Sequence, residues 1–352
     1  MQISVGLIGL GEVAQLMHLP LLADDPRFRI AGVCDVSPML VEAMGKRYGA
    51  TLRTTDAEEI FAASEIDAVF ILAPDYLHSE LLGRAIDVGK HAFIEKPVCL
   101  TRRELLPLIE RNGSNPKTVF VGYMRRYARP FLALKERLPE LNEIRHVRVR
   151  DLIRESRFFI DQTRHVVRAT DIPETVIEEG RTRTHMLVCE AMGEQRSAAA
   201  IRAYQVLTGL SSHSFSAMRE LLGRPKGVAA ARQTGGEAVV VLFDYGHFTC
   251  VYEAVIHDVA RFDAGIEVLT QNRHYRINYD TPYIRNLPTR LEITSSTDRE
   301  TGTQIIGPFY EDSFRVELGA FHECVTKGAR PKTDLEDSLA DLELFAEVGR
   351  HF

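Results

Sequence analysis

The chain has 352 residues, enough for two domains at roughly 150 residues each and for a core that needs no disulfide or structural metal. Its 45% hydrophobic and 26% charged composition is ordinary for a globular protein, and a net charge of −6 with a pI near 6.1 gives no electrostatic ground for a nucleic-acid or anionic-membrane partner. Cys34, Cys99, Cys189, Cys250 and Cys324 form no CxxC pair and read as buried free thiols, which excludes zinc-ribbon and thioredoxin readings.

The start, Met1-Gln2-Ile3-Ser4-Val5, runs directly into a strand pattern, and no apolar run reaches the ~20 residues that cross a bilayer. A cytoplasmic protein without a signal peptide is expected. Strands are expected at Ile3–Ile8, Phe28–Cys34, Ala68–Leu72, His91–Ile94 and Thr118–Val121. Most lack period-two alternation, as do parallel strands covered on both faces. Amphipathic helical stretches lie between them, at Leu40–Tyr48, Leu77–Val88 and Arg103–Arg111. This alternation predicts a doubly wound parallel sheet over residues 1–122. Residues 171–222 read as mainly helical. Residues 227–297 read as successive strands, among them Ala238–Phe243, Phe248–Ile256 and Ile266–Thr270, which predicts an open, mostly antiparallel sheet. Helices at Ser313–Lys327 and Leu335–His351 end the chain. The expected division is a Rossmann domain over 1–122 and a second α/β domain over 123–352.

Gly9-Leu10-Gly11-Glu12-Val13-Ala14 matches GxGxxG/A between a strand and a helix. Gly9 permits a tight turn, Gly11 leaves room for a pyrophosphate, Ala14 lets the helix approach the sheet, and the helix N-terminus, at Glu12 and Val13, favours the phosphate charge through its free N–H groups. Asp35 closes the second strand 24 residues after Gly11, where an acid accepts hydrogen bonds from the ribose hydroxyls. Capping the next helix would explain Asp35 alone, but not the upstream glycines. With no Lys or Arg before Lys46 and Arg47, NAD is expected over NADP.

Ala73-Pro74-Asp75-Tyr76-Leu77-His78 and Glu95-Lys96-Pro97 each follow a strand, at the edge where open α/β sheets bind ligands. With the segments at 9–14, 121–127 and 317–339, they make the chain resemble the glucose–fructose oxidoreductase, inositol dehydrogenase and rhizopine-catabolism (Gfo/Idh/MocA) family. The resemblance implies a Rossmann domain followed by an α/β domain whose large open sheet makes homodimer or homotetramer contacts. It implies that Lys96 meets substrate and nicotinamide, that Glu95 and Pro97 flank it there, and that the Lys96–Pro97 bond is cis. It places Pro74 and His78 on the nicotinamide side and Met124 toward the substrate. A partly desolvated lysine beside a positive nicotinamide would also suit proton transfer from a carbinol.

Many relatives carry D-x-x-x-H before a helix of the second domain. The best match here is Gly209-Leu210-Ser211-Ser212-His213, so His213 aligns as the acid/base group, with glycine in the carboxylate position. His165, His185 and Asp161 are candidates to replace it. Arg157, Arg164 and Arg168 could meet an anionic substrate, although basic loop residues usually face water. His247 and His257 lie ten apart with no third ligand in the pattern, so no metal site is expected. Tyr252 and Tyr283 fit either a substrate face or a subunit interface.

The expected activity is NAD-dependent hydride transfer on a sugar, inositol or related polyol, using Lys96 and His213. Two alternatives stay open: glycoside cleavage without net redox, using held NAD, and a non-catalytic NAD(H) sensor.

Overall fold

The computed structural model describes residues 1–113, 115–193 and 196–352. Six parallel strands form the first sheet: β1 (Ile3–Ile8), β2 (Phe28–Cys34), β3 (Leu52–Thr54), β4 (Ala68–Ile71), β5 (His91–Glu95) and β6 (Val119–Gly122), in the order β3-β2-β1-β4-β5-β6. The order reverses between β1 and β4, which opens a crevice at their carboxyl ends. α1 (Leu19–Asp24), α2 (Pro38–Tyr48), α3 (Ala57–Ala62), α4 (His78–Asp87) and α5 (Arg102–Asn112) connect the strands. Sequence sets their ends. Ser37 caps α2 by accepting the Leu40 N–H at 3.1 Å, with Pro38 at the first position. Thr101 and Glu104 form a capping box on α5.

The register places Phe70 of β4, Phe93 of β5 and Phe120 of β6 side by side, with stacked centroids 4.8 and 5.5 Å apart. Phe321 meets all three edge-on at 5.5–5.7 Å. This aromatic layer fixes β5, and therefore the residues that follow it.

The second sheet has eight strands in the order β14-β13-β12-β11-β7-β10-β9-β8. They are β7 (His146–Ile153), β8 (Gly227–Thr234), β9 (Ala238–Asp244), β10 (Thr249–Ile256), β11 (Phe262–Leu269), β12 (Arg273–Tyr279), β13 (Thr289–Ser296) and β14 (Thr301–Phe309). Only the central β7–β10 pair is parallel. The helices of this half of the chain are α6 (Arg129–Lys135), α7 (Ser156–Thr163), α8 (Glu174–Met192), α9 (Ala198–Val206), α10 (Ser212–Leu222), α11 (Ser313–Lys327) and α12 (Leu335–Gly349). One sheet face is apolar and covered by α10 and α12, where Phe215 meets Phe243, Tyr252 and Phe345 at 4.9–5.4 Å. The other carries ion pairs across strands, Arg148–Glu253 at 2.6 Å and Arg276–Glu292 at 2.6 Å among them.

The chain forms two units. The first comprises Met1–Gly122, Arg164–Ala191 and Glu317–Leu342, and the second Tyr123–Thr163, Met192–Val316 and Glu343–Phe352. The chain leaves the first unit where the sequence pattern changes, after Gly122, and returns to it twice. β3, β7 and β14 fall outside the strands expected from the sequence. β3 is three residues long at a sheet edge, and β7 carries Arg148, Arg150 and Asp151, whose compensating partners lie far away in sequence. Among the described residues no helix is long and apolar enough to cross a membrane.

Candidate functional site

Gly9 stands at φ 95°, and a Cβ there would come within 2.5 Å of the Leu72 carbonyl carbon and the Ala73 nitrogen. Only glycine lets β1 turn this tightly against the end of β4. At Gly11 an added Cβ would meet no atom within 4 Å. The position is exposed, so its glycine leaves an open approach to the backbone. A helix begins at Glu12, runs through a π-helical turn at Ala14–His18 and continues as α1. Glu12 is half-buried, Val13 is exposed and Ala14 is buried against the sheet. Such π turns are frequent at functional sites.

Asp35 is drawn to this turn. Its Oδ2 accepts the Leu10 N–H at 2.7 Å and its Oδ1 accepts the Ser37 N–H at 2.9 Å. Each oxygen keeps a lone pair for a further donor. A second segment reaches the same place. The Gln15 amide clasps Val167, donating to its carbonyl at 2.8 Å and accepting its N–H at 2.9 Å. Arg168 lies 3.3 Å from Glu12. Asp171 accepts hydrogen bonds from Ser37 Oγ and, at 2.9 Å, from the Met39 N–H. Sequence reading missed Gln15 and Asp171, because their partners are more than 130 residues away.

At the end of β5, Glu95 is held by His18, with His18 Nε2 2.8 Å from Glu95 Oε1. Burial pushes the Glu95 carboxyl up. The hydrogen bond and charge of His18, and the charge of Lys96, outweigh it and hold the group below its ordinary value. Lys96 is half-buried, its N–H donates to Glu95 Oε2 at 3.3 Å, and the Lys96–Pro97 peptide is cis. His78 is buried, with Nδ1 2.6 Å from the Pro97 carbonyl oxygen and Nε2 2.7 Å from that of Ala73. His78 therefore ties the two ligand-edge motifs together, while Pro74 is exposed at the start of the turn between them.

In the second unit His213 is half-buried in the first turn of α10, behind a π-helical turn at Leu207–Ser211. Gly209 lies in that turn, exposed, and a Cβ there would meet nothing within 4 Å. A carboxylate does lie behind the helix start. Asp151 of β7 is fully buried and accepts from Arg125 Nη1 at 2.5 Å and from the Tyr252 hydroxyl at 2.8 Å. Arg125 also donates to Ser214 Oγ at 2.7 Å, and the Tyr252 oxygen lies 2.6 Å from Ser211 Oγ. Burial, then the Asp151 charge, push the Tyr252 phenol well above its ordinary value. Met124 is buried and lines a cleft of the second unit with Tyr279 and Thr281, whose Tyr279 hydroxyl and Thr281 Oγ1 are buried without a hydrogen-bond partner.

The other candidates lie apart from these clusters. Asp161 on α7 and His185 on α8 are exposed, near Arg157 at 3.2 Å and Cys189 at 3.6 Å respectively, and His165 and Arg164 are exposed as well. His247 lies 2.6 Å from the Leu141 carbonyl oxygen, while His257 accepts the Val259 N–H and Tyr283 is half-buried. Among the described residues no three His, Cys, Asp or Glu side chains are grouped to hold a metal.

Residues 3–123 match the model of an oxidoreductase family with an NAD-binding Rossmann fold. That model is the one for the NAD-binding domain of the Gfo/Idh/MocA oxidoreductases, and it covers the first sheet and its helices in this chain. A provisionally named UDP-kanosamine synthase oxidoreductase subunit of Amycolatopsis mediterranei is 35% identical over 149 residues, 42% of this chain and 40% of that protein. Inositol 2-dehydrogenase of Rhizobium meliloti is 31% identical over 140 residues, 40% of this chain and 42% of the relative. The matched stretch thus spans about two fifths of these relatives. By structure, a 3-ketoreductase from Actinomadura kijaniata in complex with NADP and TDP-benzene superposes with a TM-score of 0.73 at 16% identity, covering 98% of this chain and 96% of that one. A provisionally named myo-inositol dehydrogenase from Sinorhizobium meliloti gives 0.71 at 20%, covering 99% and 97%. These likenesses show a shared fold over nearly the whole chain.

Proposed function

We propose that this chain is an NAD-dependent oxidoreductase acting on a carbinol or carbonyl of a sugar, inositol or related polyol. The observation that carries the reading is the bond from the Leu10 N–H to Asp35, which joins the glycine turn to the ribose-type acid at the crevice of the sheet. The residues fit the cofactor, since Gly11 leaves the backbone open and Asp35 keeps acceptor capacity. Gly9, Gly11, Glu12, Val13 and Ala14 would take the pyrophosphate at the helix start, and Asp35 the ribose. Pro74, His78, Glu95 and Pro97 would frame the nicotinamide end. When bound, the cofactor supplies a ring that accepts or returns a hydride.

Lys96 holds the substrate oxygen and takes or returns its proton, while Glu95, pinned by His18, fixes the strand end from which Lys96 projects. His213 has the role of proton relay, and Met124 that of a substrate contact. The unpartnered hydroxyls of Tyr279 and Thr281 suit a polyhydroxylated substrate, which offers matching donors and acceptors. The relatives named inositol dehydrogenases, and the ketoreductase among the structural neighbours, support this substrate class.

The test is a screen of inositols, polyols and sugars followed by NADH absorbance, with binding measured separately by NADH fluorescence. Lys96→Ala is expected to lower turnover by about 10²- to 10⁴-fold and to retain NADH. Unchanged turnover overturns the assignment. Firm NAD binding without turnover on any member would favour the sensor reading, which the absent carboxylate at Gly209 keeps in play. Product formed without net NADH would favour glycoside cleavage.

A further inference from the structure

Ser37 bridges two carboxylates. Its N–H donates to Asp35 at 2.9 Å and its hydroxyl donates to Asp171. Asp171 also takes the Met39 N–H at 2.9 Å, at the start of α2. The two donors lie two and four residues after Asp35, the residue read above as the ribose acid. A dinucleotide phosphorylated at the 2′-hydroxyl carries a further charge of about −1.5 to −2 near neutral pH and needs donors or cations beside that acid. In this chain the hydroxyl and amide that could serve are already bonded to a carboxylate.

Asp171 is held in place from both sides of its own segment. Upstream, Val167 is clasped by both ends of the Gln15 amide. Downstream, Gly180 of α8 packs against the Tyr76 ring, where a Cβ would come within 2.7 Å of the hydroxyl. Arg168, the cation three residues before Asp171, is paired with Glu12 at the glycine turn. The bond from Ser37, then that from the Met39 N–H, lower the Asp171 carboxyl below its ordinary value, so the charge is present at neutral pH.

We propose that Asp171 is a specificity-determining residue: it fills the Ser37 and Met39 donors with a carboxylate, and so makes this chain take NAD(H) and reject NADP(H). The proposal rests on the cofactor reading given above. It adds a second carboxylate, from a remote segment, to the single acid legible in the sequence. Its two effects reinforce one another. A bonded donor cannot turn to a phosphate without losing its partner, and the exposed carboxylate repels a phosphate brought within a few ångströms of it, through screened but short-range charge.

The experiment is isothermal titration of the full chain with NAD⁺ and with NADP⁺, on wild type, Asp171→Asn and Asp171→Ala, with thermal unfolding to confirm that each variant is folded. Wild type is expected to bind NAD⁺ at least about 100-fold more tightly than NADP⁺, a factor of ten for each 1.4 kcal/mol. Asp171→Ala is expected to tighten NADP⁺ by about tenfold or more while NAD⁺ moves by less than about threefold. Asp171→Asn, which keeps an acceptor but drops the charge, should fall between. A wild type that binds both dinucleotides alike overturns the proposal. So do variants in which both weaken in parallel, which would make Asp171 a clamp for its segment only. In either case the cofactor reading survives. A wild type that binds neither dinucleotide sinks that reading, and this proposal with it.

Discussion

His18, buried among the aromatic rings of β4 and β5, holds Glu95 of the Glu95-Lys96-Pro97 motif at 2.8 Å. The pair connects the helix after the glycine turn to the strand end carrying Lys96, so one contact couples the two most informative motifs of the sequence. Glu95 has a depressed carboxyl, and a depressed acid contributes stability that is present above its unfolded value and lost as pH falls through its folded one. Wild type should therefore lose stability on acidification below the ordinary 4.5, and Glu95→Gln should lose less over the same range. Urea midpoints measured from neutral to acid pH give the comparison. Equal acid slopes would remove the carboxylate from the account. His18→Leu leaves Glu95 with Lys96 as its remaining compensation and should cost roughly 1–3 kcal/mol at neutral pH.

The two glycines of the turn should separate folding from binding. At Gly9 a methyl group meets backbone atoms at 2.5 Å on a chain that is at positive φ. Gly9→Ala is expected to lower the melting temperature of the ligand-free protein clearly. At Gly11 the same methyl group meets nothing, so Gly11→Ala should melt within a degree or two of wild type and yet lose most of its NADH affinity. Undiminished NADH binding by a folded Gly11→Ala would move the pyrophosphate away from this turn.

These residues also mark what could be read in advance. The placement of Gly9, Gly11, Asp35 and Lys96 was legible because it is local, a turn or a strand end, whereas His213 stood out only through the family resemblance. The other five strands of the first sheet were legible where the edge strand β3 was not, since strands buried on both faces are continuous apolar runs. β7 was not, because Arg150 and Asp151 look like loop residues until their partners are known. Arg150 pairs with Asp263 and Glu267, and Asp151 with Arg125 and Tyr252. The return of residues 164–191 to the first unit was hidden too, since Gln15 and Asp171 make their bonds across more than 130 positions.

The Asp151 cluster makes the third prediction. Arg125 and Asp151 are 3% and 0% exposed, so each is the other's main compensation for lost water. Asp151→Ala should destabilise by roughly 3–5 kcal/mol, because a guanidinium stays buried without its anion. Arg125→Met together with Asp151→Leu should recover much of that loss, and chemical denaturation of the three variants would measure the coupling. A double variant as unstable as the sum of the single ones would mean that the pair does not act as a unit. Tyr252→Phe removes one bond to Asp151 and one contact to Ser211, and should cost about 1–3 kcal/mol.

Gly209 gives the last prediction, and it bears on chemistry as well as stability. The residue sits in a helical turn without a positive φ, exposed, with open space where a side chain would project. Glycine in a helix costs roughly 0.5–1 kcal/mol relative to alanine, so Gly209→Ala should raise stability by about that amount. Gly209→Asp should fold as well as wild type, since its side chain enters open space. It also restores the carboxylate four residues before His213 that many family members carry. If His213 relays a proton, His213→Gln should abolish most turnover, and Gly209→Asp should shift the pH dependence of turnover without abolishing it. An added acid favours the charged imidazole, which raises the pKa of His213 and moves the limb that it controls to higher pH. A pH profile identical to wild type in a folded Gly209→Asp would show that position 209 does not communicate with the proton-transfer group.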